Sequence, residues 1–323
     1  MNTIEQAAKR IEQLRRSGIE VPWGAAGVES GPTETAPASQ PANLPPAAIA
    51  TEPELSVAPL APAAAARSPQ EPAADARSER RSKQVELNLF RLSERGYLVP
   101  GRERSQLEEE YRIIKRPLLK NATGEGAAPV ERANLIMVTS ALPGEGKTYS
   151  SINLAISLAM ELDHTVLLVD ADVVRPAVLD RLGLPASPGL LDVLTQPDLD
   201  LADVMLKTNI PKLTLLPAGT AAGVVNTTEL LASGAMESLL NELAQTYSDR
   251  IIVFDAPPLL PSTESRVLAT HMGQIVVVVE ADRTPKSSVA QAFATLEACP
   301  VVMSVLNKCS SKKVNSAYGY YAV

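Results

Sequence analysis

The stretch Leu135–Thr148, LIMVTSALPGEGKT, constrains this chain more than any other. An apolar run ends in a loop of small residues, and an amphipathic helical pattern begins at Lys147 and Thr148. This is the P-loop pattern, with Ala141 where its first glycine usually stands and Gly146-Lys147-Thr148 closing it. Small residues let backbone N–H groups turn toward phosphate oxygens, and the following helix N-terminus adds a favourable dipole. The expected cradle for nucleotide phosphates is Pro143, Gly144, Glu145, Gly146, Lys147, Thr148 and Tyr149. Lys147 would reach the β- and γ-phosphates, and Thr148 would offer its hydroxyl to magnesium.

Around this unit, strands and helices alternate from about residue 131 to 310. The spacing predicts strands at Leu135–Val138, Thr165–Asp170, Leu213–Leu216, Ile251–Phe254, Ile275–Val279 and Val301–Leu306. Helices are expected at Thr148–Glu161, Glu237–Tyr247 and Lys286–Glu297. The last three strands read as central parallel strands, because their apolar runs are continuous rather than alternating. The expected class is therefore α/β: a P-loop NTPase-type, mostly parallel sheet flanked by helices, behind a helical and disordered N-terminal extension.

That extension divides by composition. Residues 1–20 contain a capped amphipathic helix, a possible docking element, with Ile4, Ala8, Ile11 and Leu14 on one stripe. Residues 21–80 carry much of the chain's 26 prolines and read as a Pro/Ala-rich flexible linker. Residues 81–130 supply two helices, Val85–Ser93 and Ser105–Leu119, and a joint. A net charge of −7 and a pI near 5.1 leave no global basic field for nucleic acid. Cys299 and Cys309 make no disulfide framework, and two histidines exclude a histidine-rich metal site. No secretory signal or membrane-length apolar run is evident, so a cytoplasmic location is expected.

Two strand-end acids narrow the chemistry. Asp170 follows VLLV and opens Asp170-Ala171-Asp172; Asp255 follows IIVF and precedes two prolines. Ligands gather outside the carboxyl ends of parallel strands, so both acids should face the mouth shared by Lys147 and Thr148. Asp255 is the expected organiser of magnesium. Asp170 would orient or deprotonate an incoming nucleophile, and Asp172 would bind Mg²⁺ or assist that orientation. Arg175 is placed to neutralise phosphate or to bridge to a neighbour. The tail beyond Lys308 carries Tyr318, Tyr320 and Tyr321, three of seven tyrosines. Such a tail can enter another subunit's site and accept phosphate in line.

Together SALPGEGKT, VLLVDADVVRP and IIVFDAPP resemble the bacterial tyrosine autokinases of capsule and exopolysaccharide synthesis, most nearly the exosortase-associated branch. The resemblance covers roughly residues 105–323. It implies a non-specific protein-tyrosine kinase using ATP and Mg²⁺, with Lys147, Asp170, Asp172 and Asp255 catalytic. Thr148, Asp172 and Asp255 would hold the metal, and Tyr318, Tyr320 and Tyr321 would accept phosphate from a neighbouring subunit. The family's interface motif matches Glu109, Arg112 and Lys115, with lysine replacing the last arginine, so the planar fork is lost. Also implied are a homo-oligomeric ring and activation by the cytoplasmic region of a polysaccharide chain-length-determinant membrane protein, at the inner face of the cytoplasmic membrane.

The competing reading is a MinD/ParA-like regulatory ATPase, which shares the sheet and the loop. Against it stand the clustered tyrosines and the absence of an extra lysine near the start of the loop. A nonenzymatic ATP-binding subunit is a further alternative, disfavoured by the complete acid set.

Overall fold

The computed structural model describes residues 83–101, 105–220, 226–246 and 250–310. The expected N-terminal helix, the linker and the tyrosine tail lie outside them. Strands are β1 (Lys83–Val85), β2 (Leu135–Ser140), β3 (Thr165–Asp170), β4 (Leu206–Thr208), β5 (Leu213–Leu216), β6 (Arg250–Asp255), β7 (Gln274–Glu280) and β8 (Val302–Asn307). Helices are α1 (Leu89–Glu94), α2 (Gln106–Ala122), α3 (Lys147–Ala159), α4 (Val178–Leu182) and α5 (Leu190–Thr195). They continue with α6 (Leu201–Val204), α7 (Thr227–Leu231), α8 (Gly234–Thr246), α9 (Thr263–Ala269) and α10 (Lys286–Ala294).

One eight-stranded sheet has the order β1-β4-β5-β3-β6-β2-β7-β8. Every pair is parallel except β4 with β5. Alternate residues of the central strands enter two separate cores, as the two-residue period requires. Leu135, Met137, Ile252, Phe254, Ile275 and Val277 pack with α8 residues Met236, Leu240 and Leu243. Ile136, Val138, Val166, Leu168, Val253 and Val276 pack with α3 and α2. Central strands therefore read as unbroken apolar runs. No described helix is long and apolar enough to cross a membrane.

Several expectations change here. Residues 83–85 form an edge strand paired with β4, so the helix expected from Val85 starts only at Leu89. β8 is the opposite edge and not central, and Leu306 is 61% exposed there. The short elements α4 to α7 and β4 had no clear period in the sequence.

The α2 interface set also divides. Arg112 is half-exposed and held within its own helix by Glu109 at 2.9 Å and Glu108 at 3.2 Å. Lys115 is buried instead. Its Nζ donates to Ser157 O at 2.6 Å and pairs with Glu161 at 2.7 Å. Ser157 belongs to the last turn of α3, whose carbonyls lack helical donors, so a cation is well placed there. Lys115 thus clamps α2 to α3, and it does not share an exposed face with Glu109. Lys115→Met should cost about 2 kcal/mol, the scale of a buried charge-assisted hydrogen bond. A shift of the urea midpoint at constant m-value checks this.

Candidate active site

The phosphate loop grows from β2 as its register ends. Ala141 is fully buried and has no left-handed backbone, so a methyl is tolerated where the usual pattern has glycine. Gly144 and Gly146 do require glycine, with φ of 88° and 104°. Ser140 Oγ donates to Leu142 O at 2.8 Å and closes the first turn. Glu145 does not turn its carboxylate toward the cleft. It is buried, accepts from Leu142 N at 2.6 Å and from the Thr284 hydroxyl, and holds the loop from within.

A second brace comes from the end of β8, which lies outside the three sequence motifs. Asn307 Nδ2 donates to Glu145 O at 2.8 Å, and Lys308 Nζ donates to Gly144 O at 2.8 Å. Lys308 is itself held by Glu280 at 3.0 Å. With these carbonyls engaged from outside, the opposite side of the loop is left to its N–H groups. The only signal in the sequence was position: Asn307-Lys308 ends a parallel strand on the ligand edge.

Lys147 and Asp172 meet at 2.6 Å, both largely buried. Burial opposes the ammonium charge, yet Asp255, Asp172 and Asp170 outweigh it and raise the Lys147 pKa. Asp172 also accepts from Arg175 N at 3.1 Å. Asp255 is fully buried and receives Ser151 Oγ at 2.9 Å on Oδ1, while Oδ2 has no hydrogen-bond partner among the described residues. Burial pushes its pKa up, offset by Lys147 and by the hydroxyls of Thr148 and Ser151. Such an orphaned carboxylate oxygen beside a P-loop threonine fits a hydrated magnesium ion. No group of three or more acidic, His or Cys side chains converges among the described residues. A metal would therefore take most ligands from water and phosphate, as magnesium commonly does.

Asp170 is placed differently from the expectation. It is buried and accepts Asp172 N at 3.3 Å and Ala177 N and Val178 N at 3.0 Å. It shapes the 171–178 loop and is not part of the cleft lining. Burial, then Asp255, raises its pKa to about 7 against the backbone donors. Between the ordinary value of 3.8 and about 7 the folded chain binds a proton that the unfolded chain has released. Raising pH through that window should remove stability from the nucleotide-free protein, and Asp170→Asn should flatten the slope. Denaturation midpoints from pH 4 to 8 check it.

The phosphate loop, Lys147 and Asp172 open onto one cleft of ≈ 1370 Å³. Pro143, Gly144, Gly146, Lys147, Thr148 and Tyr149 form its floor, with Asp172 and Arg175 above and Pro257 and Pro258 beside them. Thr139 Oγ1 and Ser265 Oγ both donate to Pro257 O, at 2.6 and 2.7 Å, fixing the loop after Asp255. Arg95 and Tyr97 also line the cleft, although nothing in their sequence marked them.

A mostly parallel sheet with a phosphate loop between β2 and α3, and acids ending β6 beside it and β3 beyond, defines a P-loop NTPase. Residues 133–303 match the family described as AAA domain. The chain is 30% identical over 230 residues to tyrosine-protein kinase YwqD of Bacillus subtilis, covering 71% of this chain and 92% of that one. It is 29% identical over 226 residues to the putative tyrosine-protein kinase CapB of Staphylococcus aureus, covering 69% and 93%. The solved VpsO kinase domain aligns with a TM-score of 0.50 at 31% identity, covering 64% of this chain and all of that one. This chain belongs to the bacterial tyrosine-protein kinases.

Proposed function

We propose that the protein transfers the γ-phosphate of ATP, with Mg²⁺, to Tyr318, Tyr320 and Tyr321 of a neighbouring copy. The observation that carries this is the Lys147–Asp172 pair beside the orphaned Asp255 Oδ2, on a glycine loop braced from outside. In the transfer, the bond from the γ-phosphorus to the bridging oxygen breaks and one to the tyrosine oxygen forms. ADP leaves, and the phenolic proton passes to a base. Lys147 exchanges Asp172 for the β- and γ-phosphates and stabilises charge on the moving phosphoryl group. Thr148, Asp172 and Asp255 would hold magnesium, which when bound would supply positive charge to the phosphate oxygens. Asp170, whose two oxygens are both held by backbone N–H groups away from the cleft lining, acts indirectly by fixing the loop that carries Asp172. The phenolic proton passes instead to a base in the open cleft.

In the same reading, copies assemble into a ring through α2. Ile113 is 54% exposed there, between the Glu109–Arg112 pair and exposed Arg116. The ring would answer to the cytoplasmic region of a chain-length-determinant membrane protein and regulate exopolysaccharide synthesis or export at the membrane. The test is mass spectrometry after incubation with Mg-ATP. Phosphotyrosine in residues 310–323, lost in the triple Tyr→Phe tail, is expected. Phosphate release without protein labelling would point to a regulatory ATPase instead.

A further inference from the structure

The cleft has an end that the phosphate chemistry leaves unused. Toward the β3 side it is walled by Arg95 and Tyr97, by Tyr149, and by Asp180 and Arg181 of α4. Asn307 and Lys308 stand at the opposite, β8 side. Arg95 is anchored, its Nη1 donating to Arg181 O at 3.2 Å. Tyr97 and Tyr149 form a fixed aromatic shelf, with ring centroids 5.1 Å apart and planes inclined at 42°. The Tyr149 hydroxyl donates to Gly96 O at 2.7 Å, and buried Asn153 accepts Leu98 N at 2.8 Å, so the shelf is tied to α3 from both sides.

Charge at this end is unbalanced. Neither the Arg95 nor the Arg181 guanidinium has a carboxylate partner among the described residues. Burial raises the Tyr97 pKa, and the Arg181 and Arg95 guanidiniums partly oppose that rise. Asp180 supplies one opposing carboxylate, exposed on the rim. Tyr97 is buried beneath, and the partly exposed Tyr149 ring faces outward. Two guanidinium groups beside such a ring are a donor set that grips a phosphate carried on a ring, since planar forks pair with phosphate oxygens and stack on aromatic faces.

We propose that this end of the cleft binds a phosphotyrosine of the acceptor segment, so that one modified tyrosine positions the next for transfer. The proposal rests on the tail being the acceptor, as above. Residues 310–323 contain no Asp or Glu, so a negative side chain arises there only by phosphorylation. Tyr318, Tyr320 and Tyr321 lie one or two positions apart, and two residues of extended chain span about 7 Å. Arg95, Arg181 and Lys147 line the same cleft, so a phosphate on one tyrosine would dock at the arginines while its neighbour enters the transfer site. Phosphorylation of the tail would then accelerate after the first event.

The test uses full-length protein with its three tail tyrosines changed to Phe. The acceptors are peptides of residues 310–323, unmodified or phosphorylated at Tyr320. The phosphopeptide should show a KM about tenfold lower, the scale of one charge-assisted contact. The double variant Arg95→Gln/Arg181→Gln should bring the ratio of the two KM values to one. Equal KM values in the parent, or a preference that survives the double variant, overturns the proposal. A weakened Kd for a fluorescent ATP analogue in the double variant, with the peptide preference intact, would assign the arginines to nucleotide instead. If the parent phosphorylates neither peptide, the tail assignment fails. Anisotropy of a labelled phosphopeptide then decides the subsite: arginine-dependent binding supports it, and absence of binding sinks it.

Discussion

Lys147→Met should reduce tail phosphorylation by at least about 10²–10³-fold, the scale of removing one preorganised donor from developing charge. The same change should destabilise the nucleotide-free protein. Asp172 keeps only 5% of its side chain exposed and Asp255 is fully buried, and Lys147 is the cation that both face. Removing one partner from such a pair costs roughly 3 kcal/mol. The stranded acids relieve part of that cost by taking up protons, so the loss should be larger at pH 8 than at pH 6. Phosphotyrosine mapping and denaturation at both pH values measure the two effects separately. Tyrosine phosphorylation persisting in a clean preparation of the variant would refute the assigned role of Lys147.

Gly146→Ala should be nearly as severe. The residue caps α3 at φ 104°, where a Cβ is strained, and a methyl there would overlap the Asn307 amide nitrogen. Strain of about 1–2 kcal/mol and loss of a hydrogen bond worth about 1 kcal/mol together predict nucleotide affinity weakened roughly 30- to 150-fold. Asn307→Ala alone loses only the brace and should cost about fivefold. The double variant should weaken binding less than the product of the two, because truncating Asn307 removes the overlap and leaves only the strain. Titration with a fluorescent ATP analogue reads all three. Binding by Gly146→Ala within about threefold of the parent would show that this loop geometry is not needed.

Much of the cleft floor was legible because its signals are local. The P-loop is one continuous segment, and Asp170, Asp172 and Asp255 stand where apolar runs stop, which in a parallel sheet means the ligand edge. The same rule placed the order of strands and helices but not which strand forms an edge. β8 looked central because its residues are as apolar as those of β6. Lys115 looked like a surface cation because its helix is charged, and burial against Ser157 is invisible in a helical period.

By itself, then, the sequence determined the phosphate loop, the acids beside it and the alternating α/β plan, since each depends on a short run and its own backbone geometry. Tertiary structure alone decided which polar groups face the cleft. It turned Glu145 inward, tied Asp170 to its own loop, and brought Asn307, Lys308, Arg95 and Tyr97 to residues 52 to 164 positions away in the chain. Those contacts form only after the sheet has set its strand order, and that order is fixed by packing on two faces at once.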